Sequence, residues 1–102
     1  MFPSYMRPAE QKIVGALIKK ALALRYVVSV YDGEEWALKK CSDYEKITAE
    51  IAATDETQLI FREAVGGTKI GWLMLVHGND EDVICDYTAN DAMDELVEGV
   101  DA

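Results

Sequence analysis

Residues 57–77 read TQLIFREAVGGTKIGWLMLVH, two apolar runs separated by a pair of glycines. In the first run Leu59 and Phe61 fall on one side and Ile60 on the other, which is the alternation of a β-strand. The second run, Ile70 to His77, is apolar at nearly every position, as expected of a central strand covered on both sides. Gly66-Gly67 supplies a turn, so this stretch predicts an antiparallel hairpin within a sheet.

The N-terminal part of the chain predicts a helix followed by a second hairpin. After Pro8, which suits the first turn of a helix, apolar residues recur at helical spacing from Ile13 to Leu24. The segment Tyr26 to Tyr31 is β-branched and aromatic, which is typical of a strand. Asp32-Gly33 then favours a tight turn into a returning strand, Trp36 to Lys40.

Two capped helices and a short strand complete the pattern. Ser42 and Glu45 form a capping box that starts a second helix. Val83 to Tyr87 predicts a fifth strand, and Thr88 or Asn90 caps a last helix. The sequence therefore predicts a single α+β domain over residues 1–102, in the order α-ββ-α-βββ-α. Its sheet is mostly antiparallel, has about five strands and carries helices packed on it.

Two further expectations concern the sheet. Residues 27–51 and 73–97 both read strand, turn, strand and capped helix at a constant offset of 46, which hints at related topology. We also expect ten strand residues to supply much of the packing: Tyr26, Val28, Val30, Trp36, Leu38, Phe61, Trp72, Met74, Leu75 and Val76.

Charge is unevenly distributed along the chain. The formal net charge is −9, and residues 76–102 contain nine acids and no Lys or Arg, whereas residues 1–46 contain eight Lys/Arg against six acids. Four of the acids, Asp91, Asp94, Glu95 and Glu98, fall on one face of the last predicted helix, opposite its apolar residues. Such a face is either solvated or meets a basic surface, and we predict partner binding at these four residues.

Nucleic-acid binding would require a basic stripe on the surface. Six cations could share a face if the first helix packed near the second strand: Lys12, Lys19, Lys20, Arg25, Lys39 and Lys40. The whole-chain charge repels phosphate at long range, so the sequence predicts no direct nucleic-acid binding.

Candidate catalytic and metal-binding residues are few. The turn at residues 78–82, GNDED, clusters oxygen ligands but lacks the spacing of a calcium loop. His77, the single histidine, precedes Asp80, Asp82 and Asp86 and could act as a general base beside them. Phosphate-loop, nucleophile-elbow and zinc-protease motifs are absent from the sequence. We therefore predict no catalytic residue, no cofactor and no metal.

The cellular setting is predicted from the cysteines and the N-terminus. Cys41 and Cys85 are interpreted as two reduced, half-buried thiols of a cytosolic protein. The N-terminus lacks the features of a signal peptide, and the apolar stretch Ile13 to Val30 is broken by three cations. We expect a cytoplasmic protein with no membrane partner.

Residues 71–84, GWLMLVHGNDEDVI, and the following Asp86-Tyr87-Thr88 resemble small uncharacterised proteins of phages and prophages in Gram-negative bacteria. The resemblance covers about the last third of the chain and involves no motif of known activity. It implies a mobile-element setting and transfers no residue role.

The leading functional prediction is a non-catalytic protein-interaction module that uses the acidic C-terminal face to bind a partner with a basic surface. Two alternatives stay open. One is a structural homodimer in which the basic first half of one chain faces the acidic end of another. The other is a small enzyme centred on His77 and the neighbouring acids.

Overall fold

A computed structural model describes residues 2, 4, 6–32, 34–51, 56–78, 83–98 and 100. These residues form the elements α1 (Pro8–Ala23), β1 (Tyr26–Tyr31), β2 (Trp36–Cys41), α2 (Tyr44–Glu50), β3 (Glu56–Glu63), β4 (Lys69–Val76), β5 (Ile84–Tyr87) and α3 (Asp91–Val97). The strands form one antiparallel sheet in the order β2-β1-β3-β4-β5. The predicted α+β class and element order are confirmed.

β3 lies at the centre of the sheet, between two similar units. β1, β2 and α2 form one unit, and β4, β5 and α3 form the other. These units are the two segments that share a pattern at an offset of 46 in the sequence. The hairpin of residues 57–77 therefore supplies the central strand and its connection to the second unit.

The three helices pack on one face of the sheet over a single apolar core. Burial alternates along β3 and β4, so that Leu59, Phe61, Leu73 and Leu75 are buried against the helices. The helices contribute Leu17, Ile18, Ile47, Met93 and Leu96 to the same core. The opposite face, which carries Ser29, Gln58, Ile60, Trp72 and Met74, is covered by none of the described helices, and we call it the open face.

The prediction that β4 is covered on both sides is wrong. Trp72, Met74 and Val76 are only half-buried, although they are as apolar as the buried residues that alternate with them. Trp36, also predicted to pack in the sheet, is exposed. All three helices occupy one face, so the apolar side chains at alternate strand positions remain on the other.

The N-cap of α3 is a predicted residue, and the N-cap of α2 lies one residue after the predicted one. Asp43 is the N-cap of α2, and its Oδ1 accepts hydrogen bonds from the backbone N–H groups of Glu45 at 3.0 Å and Lys46 at 3.3 Å. Ser42 was predicted for this role, but serine and aspartate cap comparably well and the helix begins one residue later. Asn90, one of the two predicted caps, is the N-cap of α3.

The end of α1 carries a strained backbone conformation. Arg25 follows the C-cap Leu24 with φ of 64°, in the left-handed region that favours glycine. Its side chain is exposed, so replacing it removes no core packing. We expect Arg25→Gly to raise the free energy of unfolding by about 0.5–1 kcal/mol, because relief of strain exceeds the added chain entropy of glycine. Equilibrium urea unfolding measures this change. Arg25→Ala, which keeps the Cβ atom, should give no gain, and a less stable glycine variant would contradict the expectation.

Two features bear on the environment of the chain. Cys41 and Cys85 are both free; Cys41 is half-buried as predicted, whereas Cys85 is exposed on β5 and that part of the prediction is wrong. Across the described ranges, no helix has the length and apolar character required to cross a lipid bilayer.

Candidate functional site

A groove of about 330 Å³ lies on the open face of the sheet. Four cationic side chains from three strands line it: Lys39, Lys40, Arg62 and Lys69. Trp36, Ile60 and Ser29 add an indole ring, an apolar surface and a hydroxyl group, and no Asp or Glu is among the lining residues. We call these seven residues the basic groove.

An irregularity in the β1–β2 ladder brings two consecutive lysines to this groove. Successive side chains of a regular strand point to opposite faces. Here Val28 pairs with Cys41 and Val30 pairs with Leu38. Ser29 of β1 therefore lies opposite two residues of β2, Lys39 and Lys40, which is the arrangement of a β-bulge. Lys40 has φ of 48°, and its backbone N–H donates to Ser29 Oγ at 2.9 Å. The bulge thus places both ammonium groups beside one groove.

Pairing across β1, β3 and β4 forms the floor and the other side of the groove, with a second register shift between Phe61 and Arg62 in the β3–β4 ladder. Ser29 pairs with Ile60 across β1 and β3, and Arg62 pairs with Lys69 across β3 and β4. Arg62 Nη1 also donates to the carbonyl of Gly67 at 3.3 Å, so the guanidinium is anchored to the β3–β4 turn. The cations of β2 and β4 therefore approach the groove from two sides.

Trp36 presents an aromatic surface at the groove. Its side chain is 45% exposed, which is unusual for the largest apolar residue type. The ring meets Tyr31 edge-on, with centroids 5.1 Å apart and an interplanar angle of 66°. The contact with Tyr31 positions the indole ring while part of it stays accessible, as for aromatic residues that anchor binding surfaces.

The charged side chains that line the groove are all positive. Lys39, Lys40 and Lys69 form no ion pair with a carboxylate among the described residues. The nearby carboxylate of Asp32 is engaged in the β1–β2 turn, where its Oδ1 accepts from the N–H groups of Glu35 and Glu34, both at 2.9 Å. These two hydrogen bonds lower the pKa of Asp32.

The predicted acidic residues lie together on α3. Asp91, Asp94, Glu95 and Glu98 are all exposed, and none of their carboxylates pairs with a cation in the part of the chain that the structure describes. We call these four residues the acidic face. Because α3 packs on the helix-covered side, the acidic face and the basic groove lie on opposite sides of the sheet.

The predicted cluster of six N-terminal cations is divided by the fold. α1 packs on the covered side, and Lys20 Nζ donates to the backbone carbonyls of Glu95 and Glu98, the second at 3.0 Å. Lys20 therefore compensates the carbonyl end of α3. Of the six, Lys39 and Lys40 alone line the groove, so the condition under which these cations could share a face is not met.

His77 lies in a buried polar network. His77 Nε2 is 2.7 Å from Thr57 Oγ1, and Nδ1 is 3.4 Å from Glu10 Oε1. The backbone N–H of Gly78 donates to Glu10 Oε2 at 3.0 Å, and Arg7 Nε is 3.9 Å from the same oxygen. The network fastens the first turn of α1 to the end of β4.

The network has the order hydroxyl, imidazole, carboxylate that is found in nucleophilic triads. Thr57 is 2% exposed, however, so its side chain is almost completely shielded from solvent. Of the acids considered as neighbours of His77, Asp80 and Asp82 lie outside the described residues. Asp86 is exposed on β5, where its Oδ1 accepts from the N–H of Tyr87. The geometry is that of a structural clasp.

Metal binding was considered for the turn at residues 78–82, of which residues 79–82 lie outside the described part of the chain. Elsewhere, the described residues include no group of three His, Cys, Asp or Glu side chains that could hold a metal ion. The absence of a metal stays a prediction.

Arg62, Lys69, Ile60 and Trp36 were not identified as functional residues from the sequence. The signal for two of them was present in the 57–77 hairpin, because Ile60 and Arg62 alternate with buried positions. Lys69 is two residues from the buried Gly71, and a register shift that the alternation does not show pairs it with Arg62. What the sequence did not show is that this face lacks a covering helix.

Comparison with protein-family models, curated proteins and solved structures found no match to this chain. The phage setting implied by residues 71–88 accordingly stays a prediction.

Proposed function

We propose that this protein is a non-catalytic interaction module whose basic groove binds an anionic partner. The groove combines a concave shape, four cations and an exposed indole ring on a rigid sheet. Sites on strands hold their side chains more rigidly than sites on loops do, which reduces the entropy lost on binding.

One observation carries this proposal. Lys39, Lys40 and Lys69 converge on the groove, and within the described ranges no carboxylate neutralises them. A bulge that turns both β2 lysines toward one groove also costs backbone strain at Lys40. Lysines on an edge strand also discourage edge-to-edge pairing, but that role does not account for Lys69, which lies on the internal strand β4.

The proposal is tested with the variant Lys39→Gln/Lys40→Asn/Lys69→Gln, which we call the groove variant. Asparagine is chosen at Lys40 because it tolerates a left-handed backbone, and Arg62 is kept because it anchors a turn. We expect the wild-type protein to bind fluorescently labelled polyglutamate, and the groove variant to bind it at least about tenfold more weakly, at about 0.5 kcal/mol per lost charge. Fluorescence anisotropy at fixed ionic strength measures both affinities.

The matched control is Asp91→Asn/Asp94→Asn/Glu95→Gln/Glu98→Gln, which we call the face variant. It removes four surface charges, one more than the groove variant, on the opposite side of the sheet, so it should bind polyglutamate at least as tightly as the wild-type protein. If the groove variant kept full affinity, or if the face variant lost it, the basic groove would not be the binding surface.

A second function is favoured by the acidic face. Its four carboxylates follow the i, i+3, i+4, i+7 spacing of one helix stripe and are all exposed. We propose it as a contact for a partner with a basic surface. The same pair of variants tests this function: polylysine should lose affinity for the face variant and keep it for the groove variant, and a pull-down in which the face variant retained every partner would remove the proposal.

We propose two further properties, an association of two copies and a cytoplasmic location. A homodimer would join the basic groove of one copy to the acidic face of another; because the two surfaces lie on opposite sides of the sheet, this head-to-tail contact leaves one groove and one acidic face free. Sedimentation that shows a monomer would eliminate it. A cytoplasmic location is supported by the two free thiols, Cys41 and Cys85, which suit a reducing compartment.

A further inference from the structure

We propose that the anionic partner of the basic groove is single-stranded nucleic acid, with its phosphates on the groove cations and a base stacked on Trp36. This inference rests on the anion-binding function proposed above and names the chemistry of the partner.

The spread of the cations favours a chain of phosphates over one isolated anion. Lys39 and Lys40 lie on β2 and Lys69 lies on β4, with β1 and β3 between them. Three strand spacings separate these backbones by about 14 Å. A chain with several negative charges along its length matches cations spread over this span better than one isolated anion does.

Trp36 and Ile60 distinguish a nucleotide chain from an acidic peptide. Both residues line the groove, and the Trp36 side chain is 45% exposed, with its ring at a steep angle to that of Tyr31. A run of Asp and Glu side chains would leave this apolar surface uncovered. An unpaired base has a flat π-face that covers an indole ring, and cationic grooves with stacking aromatics are the usual form of single-strand binding sites.

The open face continues beyond the groove with a second indole. Ile60 pairs with Trp72 across β3 and β4, and the Trp72 Nε1–H donates to Gln58 Oε1 at 2.9 Å. This hydrogen bond fixes the orientation of the ring on the same face of the sheet. A strand that leaves the groove across β4 therefore meets another aromatic side chain. Bases in a duplex are stacked on one another and would not reach these rings.

The net charge of −9 is the argument against this partner, and it was the basis for predicting no direct nucleic-acid binding. That prediction used the net charge of the whole chain and not the distribution of charge over its surface. In the fold, the acidic face lies on the covered side of the sheet, away from the groove. At physiological salt the screening length is about 8 Å, so a phosphate in the groove interacts chiefly with the adjacent lysines.

The test measures anisotropy of labelled oligothymidylate with the wild-type protein, the groove variant, the face variant and Trp36→Ala. We expect the wild-type protein to bind, Trp36→Ala to bind about tenfold more weakly through lost stacking, and the groove variant to lose at least as much. The slope of log affinity against log salt should be shallower by about 2 in the groove variant, because each removed phosphate contact contributes about 0.7. The face variant should bind at least as well as the wild-type protein. Thermal unfolding confirms that each variant is folded.

Competing results separate this inference from the proposed function. Binding of polyglutamate but not of oligothymidylate would overturn the nucleic-acid inference and leave the anion-binding function standing. Binding of neither would overturn both. Oligothymidylate binding that is insensitive to Trp36→Ala, or to the groove variant, would place the nucleic acid elsewhere and overturn the inference. Effective competition by thymidine monophosphate would show that a free nucleotide is the ligand, and this result would also overturn the inference.

Discussion

Replacing Gly71 by valine is expected to lower the free energy of unfolding by about 3 kcal/mol, the upper range for overpacking a core. Gly71 lies on β4 where α3 crosses the sheet. A Cβ atom built there would lie 2.6 Å from Met93 Sδ and closer still to Met93 Cγ. Met93 is fully buried in the core cluster, so moving it to make room disturbs close packing. Urea unfolding monitored by circular dichroism measures the loss.

A double-mutant cycle shows whether the clash with Met93 is the cause. Gly71→Ala alone and Met93→Ala alone should each destabilise the protein, the second by leaving a cavity. The combined variant should be more stable than the sum of the two losses predicts, because the shorter side chain makes room for the new Cβ atom. Simple additivity would contradict the close approach of α3 and β4.

Replacing Glu10 by alanine is expected to lower the free energy of unfolding by a similar amount, about 3 kcal/mol, because it breaks a buried charged network. Glu10 is 1% exposed and contacts the ring of His77 and the N–H of Gly78. Its loss detaches the first turn of α1 from the end of β4. Thermal unfolding of the variant at neutral pH measures the effect.

Glu10→Gln is the matched control for this network. The amide oxygen can still accept the hydrogen bond from Gly78 N–H, whereas the negative charge beside Arg7 is lost. The glutamine variant should therefore be more stable than the alanine variant and less stable than the wild-type protein. If both substitutions were neutral, the network would not be a structural clasp.

Most of the fold could be predicted because each element carries a local signal. The alternation of Leu59, Ile60 and Phe61 predicts β3, and helical spacing after Pro8 predicts α1. Antiparallel pairing followed from short connections, and the repeated pattern at an offset of 46 indicated two similar units. The error at the start of α2 concerned one residue, since Ser42 and Asp43 are both good N-caps.

The groove could not be predicted, for two physical reasons. Its cations are dispersed between Lys39 and Lys69 in a chain whose total charge is −9, so composition suggested the opposite sign. The bulge at Lys39 and Lys40 also breaks the alternation on which face assignments depend. Likewise, Trp36 and Trp72 have the sequence pattern of core residues. Their position on the open face follows from where the three helices pack, which is a tertiary property.

We propose the basic groove on the open face as the binding surface of this protein. A heteronuclear NMR titration of the isotopically labelled protein with an anionic probe, polyglutamate or oligothymidylate, locates the binding surface residue by residue. We expect chemical-shift changes at the amides of Lys39, Lys40, Arg62 and Lys69 and at the Trp36 indole, with the acidic face of α3 unaffected. Shift changes confined to α3, or none at saturating probe, would contradict it.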